Sequence, residues 1–162
     1  MKLDEIIDNY LTRNDWKYIW VKEEGHFTFG FEGVNGAMFC CLQVRNNDQI
    51  MFYSTYIHAI KPDEIYKMVE FITRENYRLV VGNFEIDVDD GELNYKTSVD
   101  MTNRDYISDE EISNLIHVNL STMDRNIPRL DEITGFDSNP PDKTSFNEED
   151  IITWKKKMER FE

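Results

Sequence analysis

The apolar residues of this chain switch between two spacings, and the switches mark its elements. Near the start Leu3, Ile6, Ile7, Tyr10 and Leu11 fall at i, i+3, i+4, i+7 and i+8, the buried stripe of a helix over 3–12. Asn14-Asp15 breaks it, and an extended aromatic and β-branched run over 16–22 follows until Glu23-Glu24-Gly25 interrupts. From His26 the spacing becomes two. Phe27, Phe29 and Phe31 alternate with His26, Thr28, Gly30 and Glu32, the pattern of a half-buried strand. Asn35-Gly36 then reads as a two-residue hairpin loop that pairs Phe31 with Cys40, Phe29 with Leu42 and Phe27 with Val44. A turn over 45–48 leads into a strand over 50–57, and a loop at Asn47-Asp48 brings Val44 to Met51 and Leu42 to Tyr53. In that register Phe39, Cys41, Phe52 and Tyr56 share the second face of the meander, which is more apolar than a solvated face requires.

Lys61-Pro62-Asp63-Glu64 opens a second helix, proline and acids both suiting a first turn, with Ile65, Met68, Val69 and Ile72 as its buried stripe and an end near Glu75-Asn76. Asp90-Gly91 is a second hairpin signal. It sets Val88 against Leu93, Ile86 against Tyr95, Phe84 against Thr97 and Glu85 against Lys96, so every pair is chemically matched. Ser108 and Glu111 form a capping box at the head of a third helix that buries Ile112, Leu115, Ile116, Leu120 and Met123, and Pro128 should kink or end it near Asn126. The predicted architecture is α+β: an antiparallel five-stranded sheet with helices packed on it, in the order α-β-β-β-α-β-β-α, over residues 1–134. Composition then shifts to a proline- and glycine-containing linker over 135–147. An amphipathic helix is expected over 148–162, with Ile151, Trp154, Met158 and Phe161 near helical spacing, acids first and Lys155, Lys156, Lys157 and Arg160 toward the end.

Charge narrows the partners. A formal net charge of −14 and a pI near 4.6 repel a phosphate backbone or an anionic membrane surface, so neither nucleic acid nor membrane is expected. The acidic N-terminal residues do not suit a secretory signal and no stretch reaches bilayer length, which points to a cytoplasmic protein. Cys40 and Cys41 are adjacent and face opposite sides of a strand, and they read as small apolar fillers in a reduced compartment.

Candidate chemistry is sparse. Asp87, Asp89, Asp90 and Glu92 cluster, but placing Gly91 at the glycine of a calcium loop would put Ile86 and Val88 at ligand positions, so a solvated turn is favoured. His26, His58 and His117 lie in no metal-binding spacing, no serine sits in a nucleophile elbow, and Gly33-Val34-Asn35-Gly36 does not open a helix as a phosphate cradle would. No catalytic residue, metal or cofactor is assigned. The candidate site is a protein-binding face of Phe39, Cys41, Phe52 and Tyr56, with Trp154 either covering it or reaching a partner.

The element order, the hairpin GNFEIDVDDGELNYKTSVD and the helix ISDEEISNLIHVNLSTMDRNIPRLDEI with its late proline resemble the YbjN family of bacterial sensory transduction regulators, over about 3–133. That family is similar in fold to class I type III secretion chaperones. The resemblance implies an acidic homodimer that binds proteins and uses no cofactor. The expected role is a non-enzymatic protein-binding module, chaperone-like or regulatory, in bacterial signalling or protein handling. Two alternatives stand beside it: a dedicated type III secretion chaperone, and a small enzyme or ligand-binding domain with a pocket between sheet and helices.

Overall fold

The computed structural model describes residues 2–21 and 24–138. Among them the order is α1 (Leu3–Arg13), β1 (Ile19–Val21), β2 (His26–Glu32), β3 (Ala37–Arg45), β4 (Gln49–Tyr56), α2 (Ile65–Arg78), β5 (Asn83–Ile86), β6 (Leu93–Asp100) and α3 (Asp109–Thr134). The strands form one antiparallel sheet in the order β1-β2-β3-β4-β6-β5. It has six strands, not the expected five. The sixth is β1, part of the 16–22 run, recruited because its aromatics continue those of β2: Trp20 stacks on Phe27 at 4.0 Å and Trp16 lies 5.0 Å from Phe29.

The three expected hairpins differ from expectation in instructive ways. At the first, Gly33 N–H donates to the Gly36 carbonyl at 2.8 Å, so the two loop residues are Val34 and Asn35, and Phe31 pairs with Met38. At the third, the loop is 88–91, closed by Asp87 N–H on the Glu92 carbonyl, and Ile86 pairs with Leu93. Both shift the pairing by two residues and keep every side chain on its expected face, although Val88 moves to the exposed loop. At the second, Asn46 and Asn47 both adopt positive φ, making a three-residue loop in which Arg45 pairs with Gln49. That is a slip of one, and it turns β4 over. Ile50, Phe52, Ser54 and Tyr56 join Leu42, Cys40 and Met38 on the core face.

All three helices pack on that core face, around Phe27, Phe29, Phe52, Tyr95 and the apolar stripe of α3. The capping box forms as expected, Ser108 Oγ accepting from Glu111 N–H at 3.2 Å and Glu111 accepting from Ser108 N–H at 2.9 Å. Pro128 does not end α3, which runs on to Thr134 and stops at Gly135 in the left-handed conformation. A helix-interior proline costs about 3 kcal/mol, whereas burying Ile127 just before it and Leu130 after it contributes roughly 1.5–3 kcal/mol each. Packing wins. Of the expected α2 stripe, Met68 and Ile72 are buried, Ile65 is partly buried and Val69 is exposed.

Candidate functional site

Sheet parity leaves a second face, made of Thr28 on β2, Cys41 on β3, Met51, Tyr53 and Thr55 on β4 and Lys96 on β6. No described helix lies across it: Cys41, Met51 and Val21 are buried yet stand outside the core cluster that the helices build. Thr28, Cys41 and Thr55 are nonetheless at most 2% exposed. Thr55 Oγ1 donates to Asn94 Oδ1 at 2.5 Å, Lys96 Nζ meets Glu85 at 2.6 Å, and Tyr53 Oη donates to Met51 Sδ at 3.3 Å. These side chains form a mixed apolar and polar floor.

The β3–β4 and β5–β6 loops rise beside this floor and enclose a depression of about 920 Å³. Its rim is acidic, with Glu24, Glu85, Asp87 and Glu92 against the single basic lining residue Arg45. His26 stands between Glu24, 3.5 Å from Nδ1, and Gln43, 2.8 Å from Nε2. Burial, then the carboxylates of Glu24 and Glu92, push the Cys41 thiol up to about 12. Burial, then Glu85, push the Tyr53 phenol to about 12 as well. Both groups are protonated at neutral pH, the form in which neither acts as a nucleophile.

The residues expected to form the binding face separate here. Phe39 and Cys41 lie on this face, Phe39 half-buried. Phe52 and Tyr56 do not, because the three-residue loop sends them under the helices: Phe52 is fully buried and Tyr56 donates to Asp131 at 2.6 Å beneath α3. Trp154 lies outside the described residues. Met51 and Tyr53 were missed for the same reason, and the asparagine pair at 46 and 47 was the signal that could have found them.

The acidic hairpin tip is built as a turn. Asp87 accepts from Asp89 N–H at 2.8 Å and Asp90 from Glu92 N–H at 2.9 Å. Gly91, at φ +77°, accepts Ile60 N–H at 2.8 Å, and a Cβ there would lie 2.1 Å from the Ile60 carbonyl oxygen. The Gly33–Gly36 loop cradles an anion of its own chain: Asp124 accepts from Asn35 N–H at 2.9 Å and Asn35 Nδ2 at 3.1 Å. Among the described residues no three His, Cys, Asp or Glu side chains are grouped to hold a metal ion.

A profile described as "Putative bacterial sensory transduction regulator" matches residues 3–132. The chain belongs to the YbjN family. Among solved structures it is similar to YbjN from E. coli, described as a putative transcription regulator, with TM-score 0.61 and 8% identity over 79% of this chain and 90% of that one. It is also similar to the Yersinia pestis type III secretion chaperone SycH, solved in complex with a stable fragment of YscM2, with TM-score 0.52 and 14% identity over 76% of this chain and 98% of that one. At these identities the likeness is one of fold. No curated protein matches the sequence at a significant level.

A second surface of this YbjN-family chain exposes several large apolar residues. Tyr66, Val69 and Tyr77 are exposed along α2, with Glu70, Thr73 and Arg74 between the last two, and Val80 beyond the helix end is 98% exposed. No described helix is long and apolar enough to cross a membrane.

Proposed function

We propose that this YbjN-family chain is a non-enzymatic, cytoplasmic protein-binding module, chaperone-like or regulatory, that takes an apolar segment of a partner onto the second sheet face. The observation that supports it most is the asymmetry of the sheet: three described helices cover one face and none of them covers the other. Met51, Tyr53 and Val88 offer apolar contact and the acidic rim favours basic clients over nucleic acid. The fold shared with a secretion chaperone solved with a protein fragment supports the same reading.

We further infer a homodimer joined through the outer side of α2, because pairing of two copies there would bury the exposed Tyr66, Val69, Tyr77 and Val80. Light scattering on Tyr66→Glu and Val80→Asp variants tests that part: a dimer that becomes a monomer supports it, and a wild-type monomer refutes it.

The binding role is tested with a photo-crosslinking residue in place of Tyr53 in the native cell, and with one in place of exposed Glu110 as control. Reproducible protein adducts at 53 and not at 110 are expected. Adducts at neither position would sink the reading. A dedicated secretion chaperone would give one secreted client, whereas a general module would give several. The polar pocket around His26, Glu24 and Gln43 favours a small-ligand site as the second reading, and saturable small-molecule binding that Gln43→Leu abolishes would establish it.

A further inference from the structure

On the helix side of the sheet, away from the second face, a groove of about 530 Å³ opens between α1, the end of β2 and α3. Its α3 wall follows helical spacing: Ile116, Leu120 and Asp124 fall at i, i+4 and i+8, so one row of the helix runs from aliphatic to acidic. The opposite wall is aromatic. Asp15, at φ +57°, turns the chain after α1, and Trp16 N–H donates to the Leu11 carbonyl at 3.0 Å, which sets the Trp16 ring 6.4 Å from Phe31 at the groove. Both rings are half-buried, whereas Ile116 and Leu120 are nearly closed off from solvent beneath them.

The charge is gathered at one end. Glu32 and Asp124 both line the groove beside Gly33, where a Cβ would lie 2.0 Å from Asp124 Oδ1, so the missing side chain is what admits the carboxylate. Asn35 fixes that carboxylate with two neutral donors, N–H at 2.9 Å and Nδ2 at 3.1 Å, and a carboxylate keeps acceptor capacity beyond two bonds. Among the described residues that line the groove none is lysine or arginine, and the titratable His117 is exposed. The ion pairs among the described residues include neither Glu32 nor Asp124.

Size and chemistry together define the ligand. Small-molecule sites occupy roughly 300–1,000 Å³ and are lined mainly by apolar and aromatic groups with a few placed polar ones, which is the make-up of this groove. Two carboxylates with no facing cation reject an anion, and aromatic faces attract an organic cation. We propose that the groove binds a small arylalkyl amine, its ring between Trp16 and Leu120 and its ammonium against Glu32 and Asp124. The site is separate from the second sheet face and from the pocket around His26, and it goes beyond the binding role above.

The test titrates the full chain with phenethylamine, phenethyl alcohol and phenylacetate, which share a ring and differ in charge, while NMR follows the indole N–H of Trp16, assigned with Trp16→Phe. Expected is saturable movement of that signal by the amine, about fivefold tighter than by the alcohol, and no saturation by the acid. Glu32 is exposed, so Glu32→Gln should leave the fold intact and weaken the amine about threefold. Ser121→Phe, at an exposed position on the groove wall, should abolish binding, and Gln43→Leu, on the other side of the sheet, should change nothing. Equal affinity for the three compounds would overturn the proposal. So would a Trp16 signal that the amine leaves unmoved, binding that survives Ser121→Phe in a folded protein, or binding that Gln43→Leu removes.

Discussion

Replacing Asn119 by alanine should detach α3 from the sheet and remove a large part of the stability of the domain. The side chain is fully buried on the core face. Its amide nitrogen donates to the carbonyls of Phe52 and Tyr95, both at 2.9 Å, and lies 3.2 Å from Thr97 Oγ1, while its oxygen accepts from Ser54 Oγ at 2.5 Å. One residue thus joins α3 to β4 and β6. A net hydrogen bond contributes about 1 kcal/mol, and each buried polar group left without its partner costs roughly 1–3 kcal/mol. Alanine leaves the Ser54 hydroxyl without its acceptor and adds a cavity, so the loss should be about 3–4 kcal/mol, against a typical total of about 5–15 kcal/mol. With a urea m-value of about 2 kcal/mol per molar, the unfolding midpoint should fall by roughly 1.5–2 M. A Ser54→Ala cycle should recover a coupling of about 1 kcal/mol or more between the two side chains. A midpoint shift under 0.5 M, which is about 1 kcal/mol by that m-value, would refute the reasoning, since the network would then be energetically neutral.

Other substitutions probe separate parts of the argument. Pro128→Ala should raise the unfolding midpoint, by about 1–3 kcal/mol in free energy, because Pro128 is an exposed helix-interior residue whose cost packing only offsets; a lower midpoint would contradict this. Gly91→Ala should destabilise by more than about 1 kcal/mol in the same assay, since it meets both a positive φ and the Ile60 backbone, and a neutral result would mean that the hairpin tip is not held there. Stability should also fall in alkali. Burial raises the thiols of Cys40 and Cys41 above their ordinary 9.0 and the phenols of Tyr53, Tyr56 and Tyr95 above 10.0, so the unfolded chain ionises first. Their contribution is fully present below those values and is lost as pH rises toward the folded ones. Urea midpoints from pH 8 to 11 should decline from about pH 9, less steeply for Tyr53→Phe, and a flat profile would refute the shift.

Much of the fold was legible because parity and helical spacing are coarse signals. The stripes of α1 and α3 and the capping box of Ser108 and Glu111 need only local chemistry, and the structure keeps them. Family membership rests on the same elements. The site was less legible because it depends on a single loop residue. Two hairpins absorbed a pairing shift of two positions without moving a side chain to the wrong face, whereas one extra residue at Asn46 exchanged Phe52 and Tyr56 for Met51 and Tyr53. The continuation of α3 through Pro128 was hidden for another reason: the outcome is a difference between a backbone cost and the burial of Ile127 and Leu130, and only the second is tertiary.

The Asp124 carboxylate in the first hairpin loop carries a consequence for the energy landscape. The strand pair by itself favours an Asn35-Gly36 turn, the strongest short-range hairpin signal in that stretch. The folded chain instead turns at Val34 and Asn35, where Asp124, at a sequence separation of 89, holds Asn35 through two bonds. Local and distant preferences disagree by one loop residue, and both registers bury the same aromatic face, so the hairpin is frustrated. Each of those charged bonds contributes roughly 1.5–3 kcal/mol, enough to select one register. With Asp124→Ala the other becomes competitive, visible by NMR as Phe31 contacting Cys40 where the native chain contacts Met38; native contacts alone would disprove it. A strand pair that forms early would then hold the wrong turn until α3 arrives to correct it.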